Sequence, residues 1–244
     1  MLDSNEIVPI PAHPVRKSDP TLLAGKKVLI TAGPTREYWD PVRFISNGSS
    51  GAMGAALAQE AQRLGARVTL VLGPVPRSPW MSANGSSKVL EEMKIIRVVS
   101  AEEMAEAVRK QLPGTQIFVG AAAVSDYRPL QPAKRKIKDR DENVVLKLAR
   151  NPDIIAQVAR RGPRRPSVVI GFALETNDLM KNARQKLQSK GLDWIVANRA
   201  TNIGKAQGAA KMLSRWGEEI TLGRMPKQKL AARIWDALLS RPAL

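Results

Sequence analysis

Six short apolar runs constrain the fold of this chain more than any other feature. They are "KVLIT" (27–31), "RVTLVL" (67–72), "KIIRVV" (94–99), "IFVGAAA" (117–123), "SVVIGFA" (167–173) and "WIVAN" (194–198), and most are nearly continuous in apolar residues. A strand with one face in water alternates apolar and polar residues, whereas a strand covered on both faces does not. The runs therefore predict a sheet held between two layers, and such sheets are parallel.

Amphipathic stretches lie between the runs. One extends from about Ser50 to Leu64, with Met53, Leu57 and Leu64 facing inward. A second, "AEEMAEAVRKQL", places Met104, Val108 and Leu112 on one face behind Ser100, a normal cap. A third begins at "NPDIIAQVARR", with Pro152 as its first residue behind Asn151. A fourth spans about Asn177 to Ser189, and the last puts Leu230, Ile234 and Leu238 in one stripe. Two segments break the alternation. "KIKDRDENVVLKLAR" (136–150) and "AKMLSRWGEEITLG" (210–223) each hold two strand-like pieces about a turn and read as hairpins. The pattern predicts an α/β fold: a doubly wound, mostly parallel, Rossmann-like sheet with added β-hairpins. Residues 1–24, punctuated by Pro9, Pro11, Pro14 and Pro20, read as an extended tail or linker, and 25–244 as the folded domain.

Composition removes several kinds of chemistry. There is no cysteine, so thiolate catalysis and thiolate metal sites are excluded for this chain, and its one histidine is His13, in the proline-rich tail. No stretch approaches the ~20 apolar residues of a membrane span, and the N-terminus lacks the basic start and apolar core of a signal peptide. The expected location is cytoplasmic. The formal charge of +17 favours polyanionic partners, either nucleic acid, an anionic membrane or small phosphorylated ligands. An aromatic content of 4% leaves few rings as stacking platforms and weighs against a single-strand binder. The clusters "AKRKIKDR" and "ARRGPRRP" are read as solvated surface or small-ligand contacts in preference to a nucleic-acid patch.

Four motifs carry candidate chemistry. "ITAGPTREYWDPVRFISNGSSGAMG" (30–54) leaves the first apolar run through an unusually long loop holding Thr35, Arg36, Asp40, Arg43 and Asn47. Loops of this length in compact α/β units are more often binding loops than filler. Its Gly48, Gly51 and Gly54 recur every third residue, which suits either a phosphate-binding turn or close helix–sheet packing; the spacing matches neither common nucleotide fingerprint. In "GAAAVSDYRP" (120–129), at the end of a predicted strand, the alanines allow close backbone approach, and Asp126 can reach a ribose or a metal, or cap a turn. "KRKIKDRDEN" (134–143) is a phosphate-neutralising hairpin or a solvated basic loop. Lys186 and Lys190, at i and i+4, share a helix face, as surface lysines commonly do.

Together, "ITAGPTRE", "DPVRFISNGSSGAMG", "AAAVSDYRP", "KIK", "NPDII", "GFALET" and "KGLDWIVANR" occur in the order and approximate spacing of phosphopantothenoylcysteine synthetase, and the resemblance covers about residues 25 to 240. That enzyme works in coenzyme A biosynthesis, often fused behind a flavin-dependent decarboxylase domain. The resemblance implies a ligase that joins 4′-phosphopantothenate to L-cysteine through an acyl-cytidylate, using CTP with Mg²⁺ and releasing pyrophosphate and CMP. It implies that the long loop holds the acyl substrate, that Asn47 is the catalytic asparagine, and that Lys136 is the lysine of a flap over the nucleotide. It also implies nucleotide contacts from Gly120, Ala121, Ala122, Asp126, Asn151, Pro152, Asp153, Ile154, Phe172, Lys186 and Lys190, and a homodimer with its site close to the subunit interface. The sequence departs from the family at Ala52, usually lysine, and at Asp139, which follows Lys138 where a lysine pair is usual. The competing readings are an NADPH-dependent reductase, which would need a Tyr-x-x-x-Lys pattern that neither Tyr38 nor Tyr127 provides, and a basic nucleic-acid-binding module.

Overall fold

The structure, a computed structural model, describes residues 19–75, 93–138, 144–199 and 205–240. Six parallel strands form its centre: β1 (Lys27–Ala32), β4 (Arg67–Leu72), β5 (Lys94–Arg97), β6 (Ile117–Gly120), β9 (Val168–Glu175) and β10 (Trp194–Arg199). The hairpin of β11 (Gln207–Ser214) and β12 (Glu219–Pro226) adds antiparallel to β10, giving the order β12-β11-β10-β9-β6-β1-β4-β5. The hairpin read from 210–223 is therefore present, at one edge of an eight-stranded sheet.

Among the described residues five helices cover the sheet: α1 (Ala52–Arg63), α2 (Ala101–Gln111), α3 (Ile154–Ala159), α4 (Leu179–Ser189) and α5 (Lys227–Leu239). Successive residues of a strand point to opposite faces, so the continuous runs feed two cores. Val28, Ile30, Leu70 and Ile170 pack with α1 and α5 on one side. Leu29, Val71, Phe118 and Val169 pack with α2, α3 and α4 on the other. The α1–α5 contact is closed by fully buried Trp235, whose indole N–H donates to the Leu57 carbonyl at 3.0 Å. Leu23 belongs to the same core, with its N–H bonded to the Leu64 carbonyl at 2.8 Å, so the fold takes in the end of the stretch read as a tail.

Three local expectations need correction. First, residues 136–150 do not close on themselves as a hairpin. Their last piece, β8 (Leu148–Arg150), pairs with β7 (Tyr127–Pro129), while Ile137 bonds to the long loop; residues 139–143, Asp139 included, lie outside the described residues. Second, α3 begins two residues later than the proline signal suggested. Asp153 is its cap, accepting from the Ala156 N–H at 3.1 Å, because the Asn151 side chain is committed elsewhere, donating to the Ser125 carbonyl at 2.8 Å. Third, the long loop contains a small antiparallel ladder, β2 (Arg36–Tyr38) with β3 (Phe44–Ser46).

The repeating glycines serve packing. Gly51 caps α1 with φ 71°, in the left-handed region open to glycine, and its Cα faces Gly33. At Gly54, a Cβ would stand 2.5 Å from the Ala32 Cβ and 3.1 Å from its Cα. In an exposed helix, Gly→Ala stabilises by about 1 kcal/mol. Here the neighbouring atoms are backbone and a short side chain that cannot swing away, and overpacking typically costs about 1–3 kcal/mol. Gly54→Ala is therefore expected to lower the urea midpoint despite the better helix former. An unchanged or raised midpoint would show that α1 can lift from β1 freely.

Candidate functional site

The chain leaves β1 for β4 on one side, and β6, β9 and β10 build out on the other. The strand order thus reverses between β1 and β6. In open parallel sheets the crevice beyond the strand ends at such a point is the usual ligand site. A cleft of about 490 Å³ opens there, lined from β1 by Thr31, from β6 and its following loop by Gly120, Ala122 and Val124 through Tyr127, and from the opposite wall by Arg150 through Ile155, Phe172, Lys186 and Lys190.

This cleft brings together Gly120, Ala122, Asp126, Asn151, Pro152, Asp153, Ile154, Phe172, Lys186 and Lys190. Ala121, Asn47 and Lys136 do not line it. Asn47, exposed on the long loop, donates from Nδ2 to the Ala123 carbonyl at 3.0 Å, which seats it beside the loop that forms the cleft wall. Lys136 is exposed, next to Ile137. Ala52 opens α1, and neither it nor Gly48, Gly51 or Gly54 lines the cleft.

The loop after β6 is zipped to the loop after β1. The N–H groups of Ala121, Ala122 and Ala123 donate to the Thr31 carbonyl (3.2 Å), the Thr31 hydroxyl (3.3 Å) and the Gly33 carbonyl (2.9 Å). The buried Thr35 hydroxyl accepts from the Ser125 N–H at 3.0 Å. The N–H groups of the three alanines therefore all have acceptors within the fold. The Ser125 hydroxyl oxygen, buried in the cleft wall, has no partner among the described residues.

Three cations line the cleft. Lys186 donates to the Phe172 carbonyl at 2.8 Å. Its burial pushes the ammonium below the ordinary lysine range, with Lys190 adding to the effect and Glu175, Asp153 and Asp126 opposing it. The surface reading of this lysine from sequence is thus replaced by a half-buried one. Lys190 pairs with Asp153 at 2.8 Å. Arg150, missed in the sequence, is exposed and lies over the Tyr127 ring at 5.8 Å, with no ion pair to an acid among the described residues. Its position directly before "NPDII" was the available signal. Phe118, Val124, Ser125, Tyr127 and Ile155 also line the cleft without having been singled out. A phosphate entering this wall would offset the effect of burial on the Lys186 ammonium and find Arg150 available for a forked contact.

A second cluster lies along the long loop. Asp40, its side chain wholly buried, accepts from the Val42 and Arg43 N–H groups at 2.8 and 2.7 Å, and from the Ile137 N–H at 3.3 Å. Arg43 reaches Asp40 through Nε at 2.9 Å and donates from Nη2 to the Ile137 carbonyl at 2.6 Å. Burial alone would raise the Asp40 pKa, but the three N–H donors and the Arg43 guanidinium outweigh it and hold the carboxyl down to about 2. Since the unfolded value is about 3.9, the stabilisation is complete above that pH and is lost as pH falls through the folded value near 2. Exchange protection of the Ile137 amide is therefore expected to stay level down to about pH 4 and to fall relative to the core below it. Loss beginning near pH 6 would point to another group. In the basic cluster 160–165, Arg165 is structural, bonding Asp193 at 2.8 Å and the carbonyls of Ala159, Pro166 and Gly191, while Arg160, Arg161 and Arg164 are exposed.

Comparison with known proteins is consistent with this arrangement. The family model for the DNA/pantothenate metabolism flavoprotein C-terminal domain matches residues 23–241. The chain is 46% identical over 207 residues to the coenzyme A biosynthesis bifunctional protein CoaBC of Vibrio cholerae serotype O1, covering 84% of this chain and 48% of that protein. It is 40% identical over 222 residues to the protein of the same name from Haemophilus influenzae, covering 90% and 52%. The chain thus spans about half the length of these curated relatives. A crystal structure of the C-terminal domain of coenzyme A biosynthesis bifunctional protein CoaBC superposes with a TM-score of 0.73 at 35% identity, covering 90% of this chain and 97% of that one. A match running from Leu23, where the core begins, to beyond the end of α5, over a shared sheet architecture, means that the chain belongs to the DNA/pantothenate metabolism flavoprotein C-terminal domain family.

Proposed function

We propose that the chain is a phosphopantothenate–cysteine ligase of coenzyme A biosynthesis that uses CTP. The 4′-phosphopantothenate carboxylate attacks the α-phosphorus, an O–P bond forms, and pyrophosphate leaves. The cysteine amine then attacks the acyl carbon, forming the amide C–N bond as CMP leaves and the nitrogen gives up a proton. Neither step needs a thiol or imidazole from the protein. Both need anions held in register and charge offset where it develops. The observation that carries this reading is the cleft at the sheet's switch point: Lys186, Lys190 and Arg150 stand on one wall, and on the other is a loop to which Asn47 is hydrogen-bonded.

In this reading Gly120, Ala121, Ala122, Asp126 and the Asn151–Ile154 wall hold the nucleoside, the cleft cations hold phosphates, and Lys136 joins them from the basic stretch 133–138 as the flap lysine that the resemblance implies. Among the described residues no three His, Asp or Glu side chains gather to hold a metal. In this reading Mg²⁺ would enter with the nucleotide and offset the charge of its phosphates. No described helix is long and apolar enough to cross a membrane, and we place the protein in the cytoplasm, beside a flavin-dependent decarboxylase, fused or separate. The test is pyrophosphate release from CTP and phosphopantothenate, followed by CMP release on adding cysteine. Nucleotide-independent, steeply salt-dependent nucleic-acid binding with no pyrophosphate would favour the nucleic-acid module instead.

A homodimer is part of the proposal. Val42, Phe44, Tyr127, Leu130 and Leu148 are 39% to 56% exposed, and all lie on or next to the two small ladders β2–β3 and β7–β8, which touch through β2 and β7. Clustered apolar surface of this kind marks an interface, and a second copy would bring it beside the Asn47 loop. Light scattering should give twice the chain mass. A monomer with full turnover would exclude the dimer from the mechanism.

A further inference from the structure

The stretch 133–138 carries Lys134, Arg135, Lys136 and Lys138, all exposed, yet its backbone is anchored. The Ala133 N–H donates to the Trp39 carbonyl at 2.7 Å. At Ile137 both backbone groups are bound, the N–H to Asp40 Oδ2 at 3.3 Å and the carbonyl to Arg43 Nη2 at 2.6 Å. The anchor itself is rigid, since Asp40 Oδ1 and the Trp39 N–H close the turn 39–43 on itself. Two segments almost a hundred residues apart are thus joined by one buried carboxylate and the guanidinium it orients.

We propose that Asp40 is a positioning residue: acting through Arg43 and the Ile137 backbone, it fixes the basic strap 133–138 against the Asn47 loop, so that strap cations and acyl-group donor keep one mutual geometry. This rests on the ligase reading and deepens it. The clasp costs the strap its freedom before substrate arrives, which is the ordering that proximity catalysis requires. The carboxylate is needed because two faces of donors converge on it. An asparagine at this position could still accept from Val42 and Arg43 through its oxygen, but its NH₂ would face the Ile137 N–H and the guanidinium, donor against donor. Asp40→Asn therefore releases the strap while keeping the turn.

The test uses the full chain, with Asp40→Asn, Arg43→Lys, Lys136→Ala and the double variant Asp40→Asn/Lys136→Ala. In Asp40→Asn, hydrogen exchange at Ala133 and Ile137 should accelerate while α1 and β9 keep their protection. CTP affinity should stay within about twofold and kcat should fall roughly 10- to 100-fold, the scale of a small misplacement. Arg43→Lys keeps the charge but loses the fork and should fall between. Because Asp40 acts through the strap cation, the double variant should lose little beyond Lys136→Ala alone. Additive losses, unchanged exchange at Ile137, or a fall in kcat matched by weaker CTP binding and loosened core would each overturn the proposal. If the wild-type chain releases no pyrophosphate, the ligase reading fails and takes the catalytic half with it, while the exchange arm still decides whether Asp40 holds the strap.

Discussion

Asn47→Ala is expected to slow the attack of cysteine on the acyl-cytidylate roughly 10²–10³-fold, the loss typical of one donor aimed at a developing oxyanion, with the fold and CTP affinity retained. The Asn47 amide is anchored by one of its N–H groups to the Ala123 carbonyl, which fixes its plane and leaves the second N–H free to donate. A neutral donor suits the step. Charge builds on the acyl oxygen as cysteine attacks, and a lysine in that place would bind the ground-state carboxylate as tightly as the transition state. Removing the side chain strands nothing, because the Ala123 carbonyl still accepts from the Thr35 N–H at 3.3 Å and Asn47 is exposed. The measurement is single-turnover CMP release on adding cysteine to enzyme preloaded with CTP and phosphopantothenate, beside CTP titration calorimetry. A variant with near wild-type release would remove Asn47 from the chemistry. A variant that no longer binds CTP would show instead that the side chain holds the cleft wall.

The layout of the sheet was legible in the sequence because burial on both faces leaves a local mark. Val28 and Ile30 serve one core and Leu29 the other, so no polar residue interrupts the run. Helix starts were legible where a side chain does the capping, as at Ser100, which accepts from the Glu103 N–H at 3.1 Å. At α3 two residues competed for that role, and the outcome depended on Asn151 reaching Ser125, a contact across 26 positions of sequence. The ladders β2–β3 and β7–β8 have three residues per strand, too few for any period to show. Lys186 illustrates the limit for the site. An i,i+4 lysine pair is ordinary on a solvated helix, and only the packing of α4 against β9 turns one of the two inward to the Phe172 carbonyl. The glycine triplet left a phosphate turn and helix–sheet packing both open, and the structure has Gly51 and Gly54 packed against the end of β1. The order of the motifs along the chain located the cleft better than any single motif did, since each is ambiguous alone.

The largest expected effect concerns the base. The N–H groups of Ala121, Ala122 and Ala123 are all committed to Thr31 and Gly33, and the Ala123 carbonyl already accepts from Asn47 and Thr35. What the backbone of these three alanines has left to offer a ligand is the carbonyl oxygens of Ala121 and Ala122. A carbonyl accepts from the 4-amino group of cytosine and faces the 4-keto oxygen of uracil acceptor to acceptor. Sites built on such buried hydrogen bonds reject the analogue that leaves them unpaired, by up to about 10⁴. CTP should therefore exceed UTP in kcat/KM by orders of magnitude, with pyrophosphate release as the readout at saturating phosphopantothenate, cysteine and Mg²⁺. ATP poses a separate question, because its 6-amino group could satisfy the same acceptor. Its rejection would rest on shape: Phe172 lines the cleft with its backbone carbonyl tied to Lys186, and Ile155 stands over Gly120, where a Cβ would meet it at 2.8 Å. A wall held in this way has little room to retreat before a second ring. Use of UTP on a par with CTP would mean that the carbonyls do not read the base. Use of ATP on a par with CTP, with UTP still rejected, would mean that they do and that the Phe172–Ile155 wall yields.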